Sequence, residues 1–67
     1  MTLHEAIIEV IKKLGPTKAK QVAWVINHSK LYQKKDYSEV ETAQIYARIH
    51  QYPNLLYIND AKRVCIK

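Results

Sequence analysis

Between Thr2 and Pro16 the chain carries an unbroken apolar stripe at helical spacing: Leu3, Ala6, Ile7, Val10, Ile11 and Leu14. A stripe of that kind must be laid against another apolar surface, so it demands a core. Both ends of the helix are written in the sequence. Thr2 followed three residues later by Glu5 is a capping box, Gly15 supplies a C-terminal cap, and Pro16 prevents continuation. Glu5 and Glu9 lie toward the positive end of the helix and Lys12 and Lys13 toward the negative end, with Glu9 and Lys13 also spaced i,i+4. This first helix reads as scaffold.

Sixty-seven residues bury only about 60% of their unfolded surface, which leaves one core and a small stability margin. Residues 1–67 are therefore expected to form a single domain. Nearly half the side chains are apolar, 48%, which favours a folded globule over a disordered tail. No apolar run approaches the roughly 20 residues that span a bilayer, and the N-terminus lacks the basic-then-apolar pattern of a signal peptide. A soluble cytoplasmic protein without a membrane partner is the expectation, nucleoid-associated if bacterial. Cys65 is the only cysteine, so no internal disulfide can form, in keeping with a reducing compartment.

Eleven Lys and Arg against six Asp and Glu leave a net charge of +5 and a pI near 9.5. Residues 1–14 balance, and the whole excess falls in residues 15–67. Such an excess favours a polyanionic partner, although small basic domains are also often no more than soluble.

A second helix is expected over Lys18 to Ser29, capped by Thr17, with Ala19, Val22, Ala23, Val25 and Ile26 as its buried stripe. Trp24 projects at roughly 200° from Val22, off that stripe. Packing against Leu31 or Tyr32 in the following loop is the expectation, with a partner contact as the alternative. Lys30 to Tyr37 connects the second and third helices, carries Lys30, Lys34 and Lys35, and is anchored by Leu31 and Tyr32.

The third helix, Ser38 to Tyr52, starts with a Ser38/Glu41 capping box and ends before Pro53, which disfavours α geometry at Tyr52. At about 100° per residue, Thr42, Ile45, Ile49 and Tyr52 share a broad apolar side with Tyr46 on its flank. Glu41, Gln44, Arg48 and Gln51 collect on the other side, free to hydrogen-bond a partner. The C-terminal residues read as two strands, Leu55 to Ile58 and Arg63 to Lys67, joined at Asn59 and Asp60. Leu56, Ile58, Val64 and Ile66 should point inward, with Arg63, Cys65 and Lys67 outward. Lys62 and Arg63 then sit at or beside the tip of a hairpin that must pack on the helices to be stable.

Three helices, the third polar on one side, and a hairpin with a basic tip give a mainly α fold with a small β-hairpin. That is the order of a winged helix-turn-helix with a two-stranded wing. In detail the chain resembles the HARE-HTH family, winged-helix modules of restriction endonucleases, Asx-like chromatin proteins and the bacterial RNA polymerase delta subunit. The resemblance runs over nearly the whole chain. It is carried by EAIIEVIKKLG in the first helix, P-x-x-A-K-Q-V opening the second, the KLY after it, I-x-x-R-I in the third and the closing hairpin. These are hydrophobic and turn positions, which specify fold better than function. The family commonly has an acidic residue where Gln21 stands, and a glycine in the wing turn where this chain has Asn59 to Lys62.

The resemblance implies binding of double-stranded DNA, often as the specificity module of a larger enzyme or in transcription regulation or restriction-modification; some members serve as protein-interaction modules. By position the third helix would be the recognition element, and the residues themselves point the same way. Gln44 and Arg48, with Ser38, Glu39 and Gln51, would face the major groove, because Arg suits guanine O6/N7 and Gln suits adenine N6/N7. Lys18, Lys20, Lys34, Lys35, Lys62 and Arg63 would hold phosphates. Glu39 and Glu41 work against that surface, since carboxylates repel phosphate, and both can serve the helix N-terminus instead. The alternative is a protein-protein interaction module of the same fold, using Trp24 or the third helix, with incidental basic charge.

His4, His28, His50 and Cys65 show no metal-ligand spacing. The only glycine is Gly15, which rules out a glycine-rich phosphate loop, and no paired-carboxylate or nucleophile-base motif is present. An enzyme, a cofactor, a metal and a small-molecule substrate are accordingly not expected. Tyr32, Tyr37, Tyr46, Tyr52 and Tyr57 could stack on unpaired bases, but their spacing is better explained as the edge of an amphipathic core.

Overall fold

The computed structural model describes residues 1–34 and 38–67. The chain runs α1 (Leu3–Leu14), β1 (Thr17–Lys18), α2 (Ala19–Ser29), α3 (Thr42–Gln51), β2 (Leu56–Ile58) and β3 (Arg63–Ile66). The strands form an antiparallel sheet in the order β1-β3-β2. Three helices with a small sheet are the mainly α, winged-helix arrangement that the element order suggested. The wing differs in having three strands, not two.

The added strand follows from Gly15 and Pro16. Gly15 caps α1 with φ 77, and its N–H donates to the Ile11 carbonyl at 2.8 Å; this left-handed turn sends the chain back on itself. Thr17 and Lys18 leave it extended, opposite Val64 and Arg63 of β3. Thr17 therefore does not cap α2. Its side chain is buried, its hydroxyl donates to the Gly15 carbonyl at 2.7 Å, and α2 begins at Ala19 behind Lys18, which makes no side-chain cap.

The capping box of α1 forms as read. The Glu5 N–H donates to the Thr2 hydroxyl at 3.4 Å, while the Thr2 N–H and hydroxyl both donate to Glu5 Oε1 at 2.8 Å. These bonds hold the Glu5 carboxyl below its ordinary pKa. Leu3, Ala6, Ile7, Val10 and Ile11 are buried, but Leu14, the last of the stripe, is 58% exposed because the chain turns away at Gly15. In α2, Ala19, Val22, Ala23 and Ile26 are buried and Val25 is half-buried against the core.

The third helix is shorter than its sequence suggests. Val40 is buried, and both its backbone groups bond the Asn27 side chain of α2: Val40 N–H donates to Oδ1 at 2.8 Å, and Nδ2 donates to the Val40 carbonyl at 3.0 Å. Val40 is thereby tied to α2 ahead of the helix, which begins at Thr42. The Ser38/Glu41 box is thus replaced by one built a turn later, with Glu41 as N-cap in extended geometry (φ −96, ψ 158) and Gln44 as its partner. At the far end, Tyr52 is the C-cap.

In the wing, Val64 and Leu56 are buried and Ile58 half-buried, as their alternation requires. Ile66 and Cys65 exchange their expected places. Ile66 pairs with Leu56 at the end of the ladder, where the core runs out, and is 36% exposed. Cys65 sits in the central strand opposite Tyr57; a small side chain there is screened by its neighbours and is buried. Hydrogen bonding to Cys65 raises the Tyr57 phenol above its ordinary pKa.

Each helix sends one fully buried isoleucine to the centre: Ile7, Ile26 and Ile45. Ile45→Ala should lower the free energy of unfolding by about 3 kcal/mol in a urea titration, since a fully packed site leaves a cavity. The carboxyl of Glu5 has a lower pKa folded than unfolded, so it stabilises the fold above the ordinary value of 4.5. That contribution is lost as pH falls through its folded value. Stability of Glu5→Gln should accordingly fall less between neutral pH and the acid side of 4.5 than that of the unsubstituted chain.

Candidate nucleic-acid interface

The exposed side of α3 is centred one position away from the row that its polar residues mark. With Ile45 and Ile49 buried, the direction opposite the core falls on Ala43 and Ala47. Both are exposed, with His50 and Tyr46 on one flank and Gln51 on the other. Gln44 and Arg48 lie farther round and are half-buried. They face an open groove of about 440 Å³ that Leu3, Tyr32 and Lys34 also line. Taking the two buried isoleucines as the centre of the core face would have identified Ala43, Ala47 and His50 from the sequence; weighting polarity obscured them.

Gln44 and Arg48 are already partly engaged. Gln44 Oε1 accepts from the Glu41 N–H at 2.8 Å as half of the capping box. Its amide can still donate, but reading adenine with donor and acceptor together would break the cap. Arg48 donates from one terminal nitrogen to Gln51 Oε1 at 2.7 Å, which splints the guanidinium along the helix and leaves its other N–H groups available. Ser38 and Glu39 are exposed ahead of the helix, and the Glu41 backbone carbonyl accepts from the Gln44 N–H at 3.0 Å. The residues at the start of α3 thus contribute acidic charge, Arg48 being the one permanent cation on the helix.

The stronger positive surface lies on the sheet. Lys18 and Arg63 are directly opposed across the β1–β3 ladder and both are exposed. Like charges in that position repel, by up to about 1 kcal/mol on the scale of cross-strand pairs. The exposed Lys20 stands in the first turn of α2, a helix end that has no acidic residue in that turn and no side-chain cap. Among the described residues the only ion pair is Lys12 with Glu9, at 4.0 Å, so none of these cations has a carboxylate partner among those residues. Lys35 falls outside the described residues.

The wing turn presents two more cations on a rigid frame. Asn59 accepts at its side-chain oxygen from the N–H groups of Ala61 at 3.0 Å and Arg63 at 2.9 Å, and its carbonyl accepts from the Lys62 N–H at 3.0 Å. Lys62 takes the left-handed conformation, φ 64, where a glycine is the usual occupant. The Asn59 side chain supplies the hydrogen bonds that hold a lysine there, which explains how the tip dispenses with glycine.

The histidines are accounted for separately. His4 stacks on Tyr52 with ring centroids 4.0 Å apart, and His28 stacks on Trp24 at 3.8 Å. Among the described residues no three His, Cys, Asp or Glu side chains converge as a metal set, and no helix is long and apolar enough to cross a membrane. Comparisons with protein-family models, with curated proteins and with solved structures each found no match.

The Asn27 clamp sets where α3 begins and hence which residues reach the surface. Asn27→Ala should cost about 2 kcal/mol, because both Val40 backbone groups lose their partner. Amide exchange at residues 40–44 should accelerate more than in α1, which a native-state exchange experiment resolves residue by residue.

Proposed function

We propose that this chain is a double-stranded DNA-binding winged-helix module of the HARE-HTH type. The observation that carries the reading is the set of unpaired cations on the sheet and its tip. Lys18, Lys20, Lys62 and Arg63 are exposed with no carboxylate partner among the described residues, and two of them oppose each other directly across the ladder. A surface that keeps like charges together at a cost to its own stability is suited to a polyanion, whose phosphates relieve the repulsion.

On this reading the sheet and the start of α2 grip the backbone. The Ala43 and Ala47 face of α3 enters the groove with little steric bulk, and Gln51, His50 and Arg48 reach from its flanks. Alanine methyl groups suit contact with thymine methyls, whereas the guanidinium of Arg48 suits guanine once the partner displaces its bond to Gln51. Lys34, half-buried beside Arg48, extends the grip toward the far flank of the helix. Glu39 and Glu41 oppose phosphate at the start of α3, so affinity comes chiefly from the lysines and Arg63.

Titrating a mixed-sequence duplex at several salt concentrations tests this directly. With about five phosphate contacts, log K against log[salt] should have a slope near −4 to −5. Lys18→Ala with Arg63→Ala should reduce the steepness by about 2, with amide shifts confined to α3, the α2 N-terminus and the wing. Failure to bind any duplex at low salt, or unchanged affinity in the Lys18→Ala, Lys62→Ala, Arg63→Ala triple variant, would sink the reading.

A further inference from the structure

A second surface is built for contact by other means. Trp24 is 60% exposed and Leu14 58% exposed; with Thr17, Gln21 and Val25 they line an open, mostly apolar groove of about 480 Å³ between the end of α1 and α2. Leu31 and Tyr32 pack against the core, and Trp24 keeps most of its surface exposed. It lies on His28 at an interplanar angle of 17°, and His28 Nδ1 sits 2.9 Å from the Trp24 carbonyl. That bond fixes the imidazole, so the indole rests on a held support and keeps one side to solvent.

Two exposed cations neighbour the lining residues along their helices. Lys13 precedes Leu14, and Lys20 lies one turn before Trp24 on α2; both are exposed. The only carboxylates on α1, β1 and α2 are Glu5, bound into the Thr2 cap, and Glu9, paired with Lys12. A chain with net charge +5 meets electrostatic repulsion in setting two such surfaces together, which argues against a second copy as occupant. Apolar walls disfavour a bare phosphate backbone. We infer that this groove docks an acidic peptide segment of a partner protein, one that inserts a bulky apolar side chain beside Trp24 and sets Asp or Glu against Lys13 and Lys20. The inference shares Lys20 with the proposed phosphate grip but uses none of the α3 or wing residues, and Trp24→Ala tests it without touching that grip.

Trp24 is the only tryptophan, so its emission reports this groove alone. The probe is a synthetic, fluorescein-labelled peptide with leucine and phenylalanine at i, i+3 and i+4 among Glu and Asp. One control peptide has the apolar residues replaced by Ser and another has the acids replaced by Gln. The unlabelled probe should shift Trp24 emission to the blue, and anisotropy of the labelled probe should show both controls binding about tenfold more weakly. Trp24→Ala, and separately Lys13→Glu with Lys20→Glu, should each weaken the probe about tenfold with helix content by circular dichroism unchanged. Lys62→Ala with Arg63→Ala should leave it unaltered. Equal binding of probe and controls, or undiminished binding after Trp24→Ala, would overturn the inference. So would an emission shift produced by duplex DNA or by raising the chain's own concentration, in place of the peptide.

Discussion

Ile7, Ile26 and Ile45 come one from each helix and are wholly buried, and the surfaces discussed above are consequences of where those side chains sit. A buried isoleucine contributes on the order of 2 kcal/mol, and a chain of this size has a margin of only about 3 to 5 kcal/mol in all. The centre is therefore indispensable. Once Ile45 and Ile49 point inward, the outward direction of α3 falls on Ala43 and Ala47. The polar row of Gln44 and Arg48 is turned toward the groove beside Leu3 and Tyr32. The Asn27 bonds to Val40 then set the depth at which the helix starts.

Charge is distributed by a different logic. The first helix engages both its acids, Glu5 in the capping box and Glu9 with Lys12, while Lys13 and the rest of the chain carry cations that nothing in the described residues neutralises. The like-charged pair on the ladder, Lys18 and Arg63, depends on β1 being a strand at all. A two-residue element with little consequence for the core thereby decides which basic side chains stand together.

Much of the architecture could be read from local patterns. The α1 stripe, its box and its Gly15 cap are local chemistry, and each appears where the spacing put it. What escaped reading depended on distant partners. Thr17 looks like a helix cap until β3 is there to pair with it, and Ser38 looks like one until Asn27 takes hold of Val40. Cys65 alternates outward along its strand, but the strand is central and its neighbours cover it. On the surface, residue type is enough to mark the cations of the wing and of the β1–α2 junction, all of which are exposed. On α3 polarity marks a row that is half-buried, and Gln44 in it is engaged in the cap, which a pattern of residue types alone does not reveal.

The ordering of the sheet carries a consequence for how the chain acquires its shape. The strand that is central, β3, follows both of its neighbours in the chain, so β1 and β2 are synthesised as edges with nothing between them. Three helices can collapse on local contacts in microseconds, but the ladder joining Thr17 to Val64 closes a loop of most of the chain and must wait for its final turn. Pairing of β2 with β3 closes only a short turn, so the two ladders of one small sheet differ widely in the length of chain each must close. The β1 edge, which carries Lys18 opposite Arg63, is therefore the long-range contact of the sheet, and the hairpin that buries Leu56 is its local one.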